Sequence, residues 1–269
     1  MDDTRTDTGL KEHPLGMVGM AARPLRPRSS GLTVAADRGL GPYAQDDLIS
    51  MSAAFIDRAK LAMGLARLLP EAVLRDKIAK YSRAEIPVFL AGEVSELAIL
   101  QGVAQDYYRA IADLGAWGVE VSNAQITLDL PTKTRLIGAA RGAGLEVVAE
   151  VGTKGGANWA TSAARVRADV AACLDAGAER VLIQAEGLNE GVAKINAAVI
   201  EDLVAGFGLK PLIFQAKTSD LIVFFLSRFG AAVNLDVDSD QVLELEACRR
   251  GIRKRGLFGM MAGTTEEDG

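Results

Sequence analysis

Residues 145–154 of this 269-residue chain read LEVVAEVGTK, an apolar run that ends in ionisable residues. Its length and its valine content are typical of a strand buried in a parallel sheet. Seven further runs of this kind are spaced roughly evenly along the chain: GLTVAAD (31–37), FIDRAKLAMG (55–64), PVFLAGE (87–93), WGVEVSN (117–123), ERVLIQAEG (179–187), PLIFQAK (211–217) and AAVNLDVD (231–238). Because helical patterns lie between most of these runs, the sequence predicts an α/β protein with a single (β/α)8 barrel.

Helical periodicity supports the same architecture. It predicts helices over residues 70–81, 95–114, 131–143, 162–176, 197–207 and 219–229. Five of these segments are followed by a glycine, as expected where a helix gives way to a strand: Gly115, Gly144, Gly177, Gly208 and Gly230. A doubly wound open sheet has the same alternation, but no G-x-G-x-x-G turn follows the first strand, which favours the barrel.

The composition changes only near the two ends of the chain. Residues 1–30 contain Gly, Pro, Arg and Ser without a hydrophobic period, so we predict a flexible N-terminal arm. This arm is either a disordered tail or a segment that crosses a neighbouring subunit. The barrel is predicted over 31–258, and residues 259–269 are predicted to fray. The basic run RRGIRKR (249–255) is interpreted as solvated cations at a helix end, or as a phosphate or subunit contact.

Composition also excludes several classes of function. A net charge of −5 argues against a general nucleic-acid surface. No apolar run approaches the roughly 18 residues that span a bilayer, and the polar N-terminus lacks the apolar segment of a signal peptide. Cys173 and Cys248 lack metal or redox spacing, and Cys173 is predicted to be a buried thiol. We expect a cytoplasmic protein, a homo-oligomer that acts on a small molecule and binds neither nucleic acid nor a membrane.

Ionisable and polar residues at the strand ends are the strongest functional signal. In a (β/α)8 barrel the catalytic groups lie at the C-terminal ends of the strands. The sequence predicts that one face brings together Asp37, Lys60, Glu120, Glu150, Lys154, Glu186, Lys217 and Asn234. A lone buried ammonium is costly, so Lys60 should meet an anionic ligand or a carboxylate, with Asp37 and Asp57 as candidates.

Glu120 and Glu150 are predicted to end adjacent strands. Two such carboxylates are typical of a Mg²⁺ site that is completed by water or substrate. Salt bridges to lysines at the barrel mouth would explain the same pair. Lys154 precedes Gly155 and Gly156, on a loop that either approaches a ligand or leaves the lysine solvated.

The last two loops offer possible anion sites. The segments 218–220 (TSD) and 238–240 (DSD) supply good N-cap residues to the helices that follow them. Loops after the seventh and eighth strands are where barrels often bind phosphate. The acidic residues in both segments weaken this interpretation.

Five segments, taken together, resemble the phosphosulfolactate synthase family: GLTVAADRG (31–39), FIDRAKLAMG (55–64), VEVSN (119–123), AEVGTK (149–154) and VNLDVDSDQVLELEACRRGIR (233–253). The resemblance runs in order across residues 26–255. It implies a Mg²⁺-dependent barrel that adds sulfite to phosphoenolpyruvate and forms phosphosulfolactate. It further implies an active site that contains Asp37, Lys60, Glu120, Ser122, Glu150 and Lys154.

The resemblance and the residue chemistry together give a first assignment of roles. The catalytic residues are Lys154, Lys60 and Asp37, and Lys154 fits the general acid that protonates C2 of the acceptor. The substrate-binding residues are Ser122, Lys217 and Asn234. The Mg²⁺ ligands are Glu120, Glu150 and Glu186, and the substrate is a small anion similar to phosphoenolpyruvate.

The chain departs from the usual pattern of this family at several strand ends. In QAEGLNEG (184–191), Gln184 replaces an expected Glu, and an Arg is missing. In FQAKTSD (214–220), Gln215 replaces another Glu. The third strand ends in LAGE (90–93) where P-G-G-T is usual, and Asn123 stands where Asp is usual. FQAKTSD and the closing segment are more similar to the branch that includes plant heat-stress-associated proteins.

Three hypotheses follow from these patterns. The first is the parent reaction of phosphoenolpyruvate with sulfite. The second is a diverged enzyme that adds another nucleophile to the same acceptor or a related acid. The third is a non-catalytic, stress-associated protein that keeps the fold and works by interaction. The retained Glu120, Glu150 and Lys154 favour the first two hypotheses, whereas Gln184 and Gln215 favour the others.

Overall fold

A computed structural model describes residues 14–152, 159–184 and 195–259. Its eight strands are β1 (Thr33–Asp37), β2 (Arg58–Leu61), β3 (Val88–Leu90), β4 (Gly118–Val121), β5 (Glu146–Val151), β6 (Arg180–Ile183), β7 (Leu212–Gln215) and β8 (Leu235–Asp238). Each strand pairs in parallel with the next, and β8 pairs with β1, which closes the barrel. The prediction of a single (β/α)8 barrel is confirmed.

The helices surround this sheet: α1 (Pro42–Ser52), α2 (Leu65–Leu68), α3 (Glu71–Arg83), α4 (Gly92–Leu100), α5 (Ala104–Asp113), α6 (Leu130–Gly142), α7 (Trp159–Asp175), α8 (Ala197–Phe207), α9 (Ser219–Phe229) and α10 (Val242–Arg249). Their inner faces pack on the outer face of the sheet in one large apolar core. None of the helices in the described ranges is both long and apolar enough to cross a membrane.

The strand register decides which side chains point into the barrel. Paired residues of neighbouring strands face the same side, and successive residues of a strand alternate. A small apolar cluster therefore fills the interior: Val34, Phe89, Val148, Leu182 and Ile213. Lys60 pairs with Phe89, Glu120 with Val148, and Glu150 with Leu182, so the three charged residues face the same interior.

One predicted helix is two helices in the structure. The sequence predicted a single helix over 95–114, but α4 ends at Leu100 and α5 begins at Ala104. Gly102, between them, has a φ of +73°, a left-handed conformation that interrupts the helical path. The apolar period continues across this turn, which is why the pattern alone did not reveal it.

Part of the predicted N-terminal arm is bound to the lower end of the barrel. Arg23 donates to the carbonyl of Gly31 at 3.0 Å and pairs with Glu246 at 3.2 Å. Arg26 donates to four backbone carbonyls, those of Ala53, Ile56, Ala84 and Glu85. The segment from Arg23 onward therefore packs on the barrel, whereas the sequence predicted a flexible arm as far as residue 30.

The start of the basic run is buried. Arg249 donates to Thr33 Oγ1 at 2.7 Å and to the carbonyls of Leu32 and Val233. Arg250 pairs with Glu246 at 2.7 Å. The interpretation of the whole run as solvated cations is therefore wrong for these two residues, which tie α10 to the bottom of the barrel.

Candidate active site

A polar cavity of about 210 Å³ opens at the C-terminal ends of the strands. Its lining includes four of the predicted residues, Lys60, Glu120, Ser122 and Glu150, and it also includes Glu93, Glu96, Ala124, Gln125, Gln184 and Gln215. The carboxylates of this lining outnumber its one lysine, so the described walls are acidic.

Lys60 and Glu120 form a buried ion pair at the centre of the cavity. Lys60 Nζ lies 2.8 Å from Glu120 Oε2 and 3.3 Å from Asp236 Oδ2. Burial alone lowers the pKa of Lys60, but Glu120 and Asp236 outweigh it and raise that pKa above its usual value. Lys60 therefore meets carboxylates, as predicted, and they keep it a cation. Its partners are Glu120 and Asp236, not the predicted Asp37 and Asp57.

The other oxygen of Glu120 is held by the backbone. Gly92, at the start of α4, donates its N–H to Glu120 Oε1 at 3.0 Å. Burial raises the pKa of Glu120, while Lys60 opposes the rise. Strand β4, helix α4 and Lys60 together fix this carboxylate in one orientation.

Glu150 faces the same cavity from the neighbouring strand and is only 5% exposed. Its carboxylate accepts no hydrogen bond within the described ranges. Burial, followed by the charge of Glu120, raises the pKa of Glu150 to about 8. A buried carboxylate that accepts no hydrogen bond from the described residues and lies beside a second carboxylate is a favourable place for a cation.

Asp236 extends the network across the barrel mouth. Its Oδ1 lies 2.6 Å from Lys217 Nζ, and that ammonium is also 3.4 Å from Asp238 Oδ1. The two lysines hold the pKa of Asp236 below its usual value, although burial opposes them. Lys217 therefore lies at the predicted face, with its charge balanced by two aspartates.

Glu96 organises the loop that forms one wall of the cavity. Its carboxylate accepts a very short hydrogen bond from Ser122 Oγ and further bonds from the N–H groups of Ala124, Gln125 and Ile126. Ser122 is thus in the cavity, as predicted, but its hydroxyl proton is directed at Glu96. A substrate would meet the hydroxyl of Ser122 as an acceptor.

Lys133 of α6 lies behind Glu150 and is 4% exposed. Its ammonium donates to Asn123 Oδ1 at 2.8 Å and, in a very short contact, to the backbone carbonyl of Glu150. Burial lowers the pKa of Lys133. This lysine supports the end of β5 from outside the barrel.

Two predicted site residues do not face the cavity. Asp37 points outward, because it pairs in register with Leu61 of the outer face. Its Oδ2 accepts from Lys77 at 2.6 Å and from Tyr81 at 2.9 Å. The structure therefore gives Asp37 an ion-pair role beside α3, away from the cavity where a catalytic residue would act.

Asn234 lies at the opposite end of the barrel. Strand β8 begins one residue later than Asn234, and the amide of Asn234 donates to the carbonyls of Leu209, Lys210 and Leu212. The prediction that Asn234 joins the substrate face was wrong, because the run 231–238 begins as a loop and not as a strand. Lys154 and Glu186 lie outside the described residues.

The possible phosphate site after β7 already contains a carboxylate. Thr218 caps α9 by accepting from the N–H of Leu221 at 3.3 Å. Ser219 Oγ donates to Glu244 at 2.8 Å, and Arg253 and Lys254 also pair with Glu244. Glu244 therefore occupies the hydrogen-bonding groups that an external anion would need.

The donor chemistry of the cavity fits a Mg²⁺ ion with two protein carboxylates. Among the residues that the structure describes, no three acidic, histidine or cysteine side chains converge closely enough to hold a metal. Mg²⁺ commonly binds through one or two carboxylates and keeps several waters. Glu120 and Glu150 supply two carboxylates to the same cavity, and a cation would offset the burial and the neighbouring charge that raise the pKa of Glu150.

Sequence reasoning missed three buried charged residues around the cavity, although signals for them exist. Asp236 interrupts an apolar strand with the same parity as the inward-facing residues. Lys133 falls on the apolar stripe of α6, in line with Leu136 and Ile137. Glu96 has a similar inner position on α4. A charge on an apolar stripe indicates a buried ion pair or a site.

Fold and site together define a (β/α)8-barrel protein with an acidic cavity at the catalytic end of the strands. A model of the (2R)-phospho-3-sulfolactate synthase (ComA) family matches residues 21–255. The chain belongs to this phosphosulfolactate synthase family, which is a family of enzymes.

Individual relatives agree with this assignment. The phosphosulfolactate synthase of Methanothermobacter thermautotrophicus is 30% identical over 237 residues, which cover 85% of this chain and 92% of that protein. Protein HEAT-STRESS-ASSOCIATED 32 of Arabidopsis thaliana is 34% identical, but only over 79 residues, 29% of this chain and 27% of that protein.

The barrel also resembles solved structures. A phosphonopyruvate hydrolase in complex with oxalate and Mg²⁺ has a TM-score of 0.54 and 14% identity, and the match covers 81% of this chain and 79% of that chain. At this level of identity the likeness concerns the fold alone.

Proposed function

We propose that this protein catalyses the Mg²⁺-dependent addition of sulfite to phosphoenolpyruvate, which forms phosphosulfolactate. The observation that carries the proposal is the pair of buried carboxylates, Glu120 and Glu150, which face one cavity beside Lys60. Membership of the phosphosulfolactate synthase family supports the reaction class. A small, acidic cavity suits a small acid that binds through a metal ion.

Glu120 and Glu150 would hold the ion, with Glu186, which follows β6 in the sequence, as a proposed third ligand. When bound, Mg²⁺ stabilises the negative charge that develops on the carboxylate side of the acceptor. Before the ion binds, Lys60 and the N–H of Gly92 keep Glu120 oriented, and the ammonium of Lys60 adds positive charge to the cavity. Ser122 and Lys217 are the proposed substrate-binding residues among those that the structure describes.

The proposed chemistry needs one proton. The sulfur lone pair of sulfite forms a bond to the methylene carbon, C3, and the electrons of the double bond move to C2 and its carboxylate. A proton delivered to C2 then completes phosphosulfolactate. Lys154 is the proposed donor of that proton, because it follows β5 closely in the sequence and general acid catalysis needs a nearby protonated group.

A second candidate is the addition of a different nucleophile to the same acceptor. The observation in its favour is that Gln184 and Gln215, which stand where the family pattern has Glu, both line the cavity. Two amides in place of carboxylates alter the charge that the second substrate meets. Gln184 is also packed closely, since a Cβ on Gly152 would lie only 2.5 Å from its Cβ.

The decisive experiment combines purified protein, phosphoenolpyruvate, sulfite and Mg²⁺, and detects the adduct by mass spectrometry. We expect product with Mg²⁺ and none with EDTA. Glu150→Gln should lower the rate by at least about 10²-fold, because the ion loses one of its three proposed ligands. Glu146→Gln is the matched control, since Glu146 is on the same strand but pairs with Arg141 at the opposite end.

The role of Lys154 has its own test. Lys154→Met should reduce turnover by roughly 10²–10⁴-fold, the usual cost of losing a general acid, while phosphoenolpyruvate binding stays measurable. An unchanged rate would contradict the assignment. If wild-type protein consumes phosphoenolpyruvate only with nucleophiles other than sulfite, and Gln184→Glu with Gln215→Glu gains sulfite activity, the second candidate is correct.

The proposal extends to the whole protein as a cytoplasmic homo-oligomer that binds neither nucleic acid nor a membrane. The net charge of −5 supports the absence of a nucleic-acid partner. Light scattering after size-exclusion chromatography measures the oligomeric state, and a monomer at micromolar concentration would contradict this part of the proposal.

A further inference from the structure

The ammonium of Lys60 is shared between two carboxylates that come from different sides of the barrel. It lies 2.8 Å from Glu120 Oε2 on β4 and 3.3 Å from Asp236 Oδ2 on β8. All three side chains are more than nine-tenths buried. A small movement of one lysine side chain therefore changes which carboxylate it neutralises.

A cation at Glu120 would compete with Lys60 for the same oxygen. Glu120 Oε1 already accepts the N–H of Gly92, while Oε2 is the oxygen that faces Lys60. An ammonium and a divalent ion on one carboxylate repel each other strongly in a poorly solvated site. Lys60 must therefore move away from Glu120 Oε2, but a buried ammonium without a carboxylate partner is costly.

Asp236 has the geometry to receive that charge. Its Oδ2 is already within contact of Lys60, and its Oδ1 is fixed separately by Lys217 at 2.6 Å. Asp236 is fully buried, so its position is set by the barrel and by these two lysines. Apart from Glu120 and Asp236, no carboxylate in the described ranges forms an ion pair with Lys60.

We propose that Asp236 is a positioning residue that takes over Lys60 when a divalent cation occupies Glu120. The inference rests on the proposed Mg²⁺ site. Asp236 itself does not bind the ion. It acts by giving the ammonium of Lys60 an alternative ion-pair partner. Lys217 binds the other oxygen of Asp236 and already offsets part of its charge, which limits how strongly Asp236 attracts Lys60.

The test is the affinity of the full-length protein for Mg²⁺, measured by isothermal titration calorimetry without substrate. Asp236→Asn should weaken Mg²⁺ binding about tenfold, a coupling typical of residues in one ion-pair network. Asp238→Asn removes the same charge but contacts Lys217 and Arg38 and not Lys60, so its effect should be clearly smaller.

A double-mutant cycle separates the exchange of Lys60 from simple attraction between charges. Lys60→Met should strengthen Mg²⁺ binding, because nothing then competes for Glu120. In the Lys60→Met background, Asp236→Asn should change the affinity less than twofold. A tenfold loss that persists in this background would overturn the inference, since it would act through space and not through Lys60.

Lys217→Met provides a second route if Asp236→Asn does not fold, as judged by circular dichroism. Lys217 is partly exposed, and its removal frees Asp236 for Lys60. We expect tighter Mg²⁺ binding from Lys217→Met in the wild-type background and no change in the Lys60→Met background. Equal effects in both backgrounds would contradict the exchange.

Mg²⁺ titration distinguishes failure of the proposed metal site from failure of the role of Asp236. A wild-type protein that binds no Mg²⁺ would overturn the proposed metal site, and this inference with it. A wild-type protein that binds Mg²⁺ with an affinity that Asp236→Asn leaves unchanged would overturn the inference alone.

Discussion

At the scale of single residues, Gly92 shows how closely the cavity wall is packed. A Cβ at this position would lie 2.6 Å from Ser122 Cβ and 2.9 Å from Glu120 Oε1. Gly92→Ala should therefore displace Glu120 and destabilise the protein by about 1–3 kcal/mol, as overpacking usually does. Urea unfolding and Mg²⁺ titration measure the two effects.

Gly138→Ala is the matched control for that substitution. Gly138 lies within α6, and a Cβ there would meet no atom within 4 Å. Alanine should be neutral or should stabilise the helix by up to about 1 kcal/mol. Equal losses of unfolding free energy from the two variants would contradict overpacking around Gly92 as the cause.

Glu150 predicts a pH dependence of stability. Its pKa is raised to about 8 in the folded protein from an ordinary value of 4.5. The folded state thus holds this proton more tightly, so the contribution is fully present below pH 4.5 and is lost as the pH rises through about 8. Glu150→Gln, which stays neutral, should match wild type at pH 5 and exceed it at pH 8.5.

The measurement is thermal unfolding in EDTA at both pH values. A gain of about 1 kcal/mol at pH 8.5 would raise the melting temperature by roughly 2–4 °C for a chain of this size. Glu146→Gln should show no such pH-dependent gain, because Glu146 is partly exposed. A gain of equal size at pH 5 would contradict the shifted pKa.

At the scale of elements, the sequence predicted best where two local signals agree. Helices α8 and α9 were predicted to the residue, because the apolar period and the closing glycine indicate the same end. Helices α4 and α5 were merged, because the apolar period alone continues across Gly102. Local patterns record which face of a helix is buried, but not whether its axis turns.

The contacts of Arg26 in the N-terminal segment predict how much this segment stabilises the barrel. Arg26 donates to four carbonyls at the ends of neighbouring elements, at distances of 2.5–3.1 Å. Arg26→Ala should cost about 2–6 kcal/mol, given roughly 0.5–1.5 kcal/mol for each of the four lost bonds. Arg109→Ala, which removes an exposed pair with Asp106, should cost less than about 1 kcal/mol in the same urea titration.

At the scale of the whole molecule, eight evenly spaced apolar runs were enough to predict the barrel. The same runs predicted only some of the residues that line the cavity. Alternation along a strand correctly places Lys60, Glu120 and Glu150 inward, and the same rule turns Asp37 outward. The prediction for Asn234 was wrong because the apolar run that contains it begins before strand β8 does. Contacts such as Lys60 with Asp236 join residues 176 positions apart, and no local pattern contains them.

The ion pair between Arg23 and Glu246 at the lower end of the barrel has a consequence for chain connectivity. Segments near both ends of the described chain meet there, since the N–H of Ala21 also donates to the carbonyl of Arg250 at 3.4 Å. A circular permutant that joins residues 259 and 14 by a flexible linker and opens at Gly102 should fold to the same barrel. Its circular dichroism should match wild type, whereas opening between residues 148 and 149 should abolish folding. A closed ring of strands has no intrinsic first member, and the point at which translation begins is then a property of the gene and not of the fold.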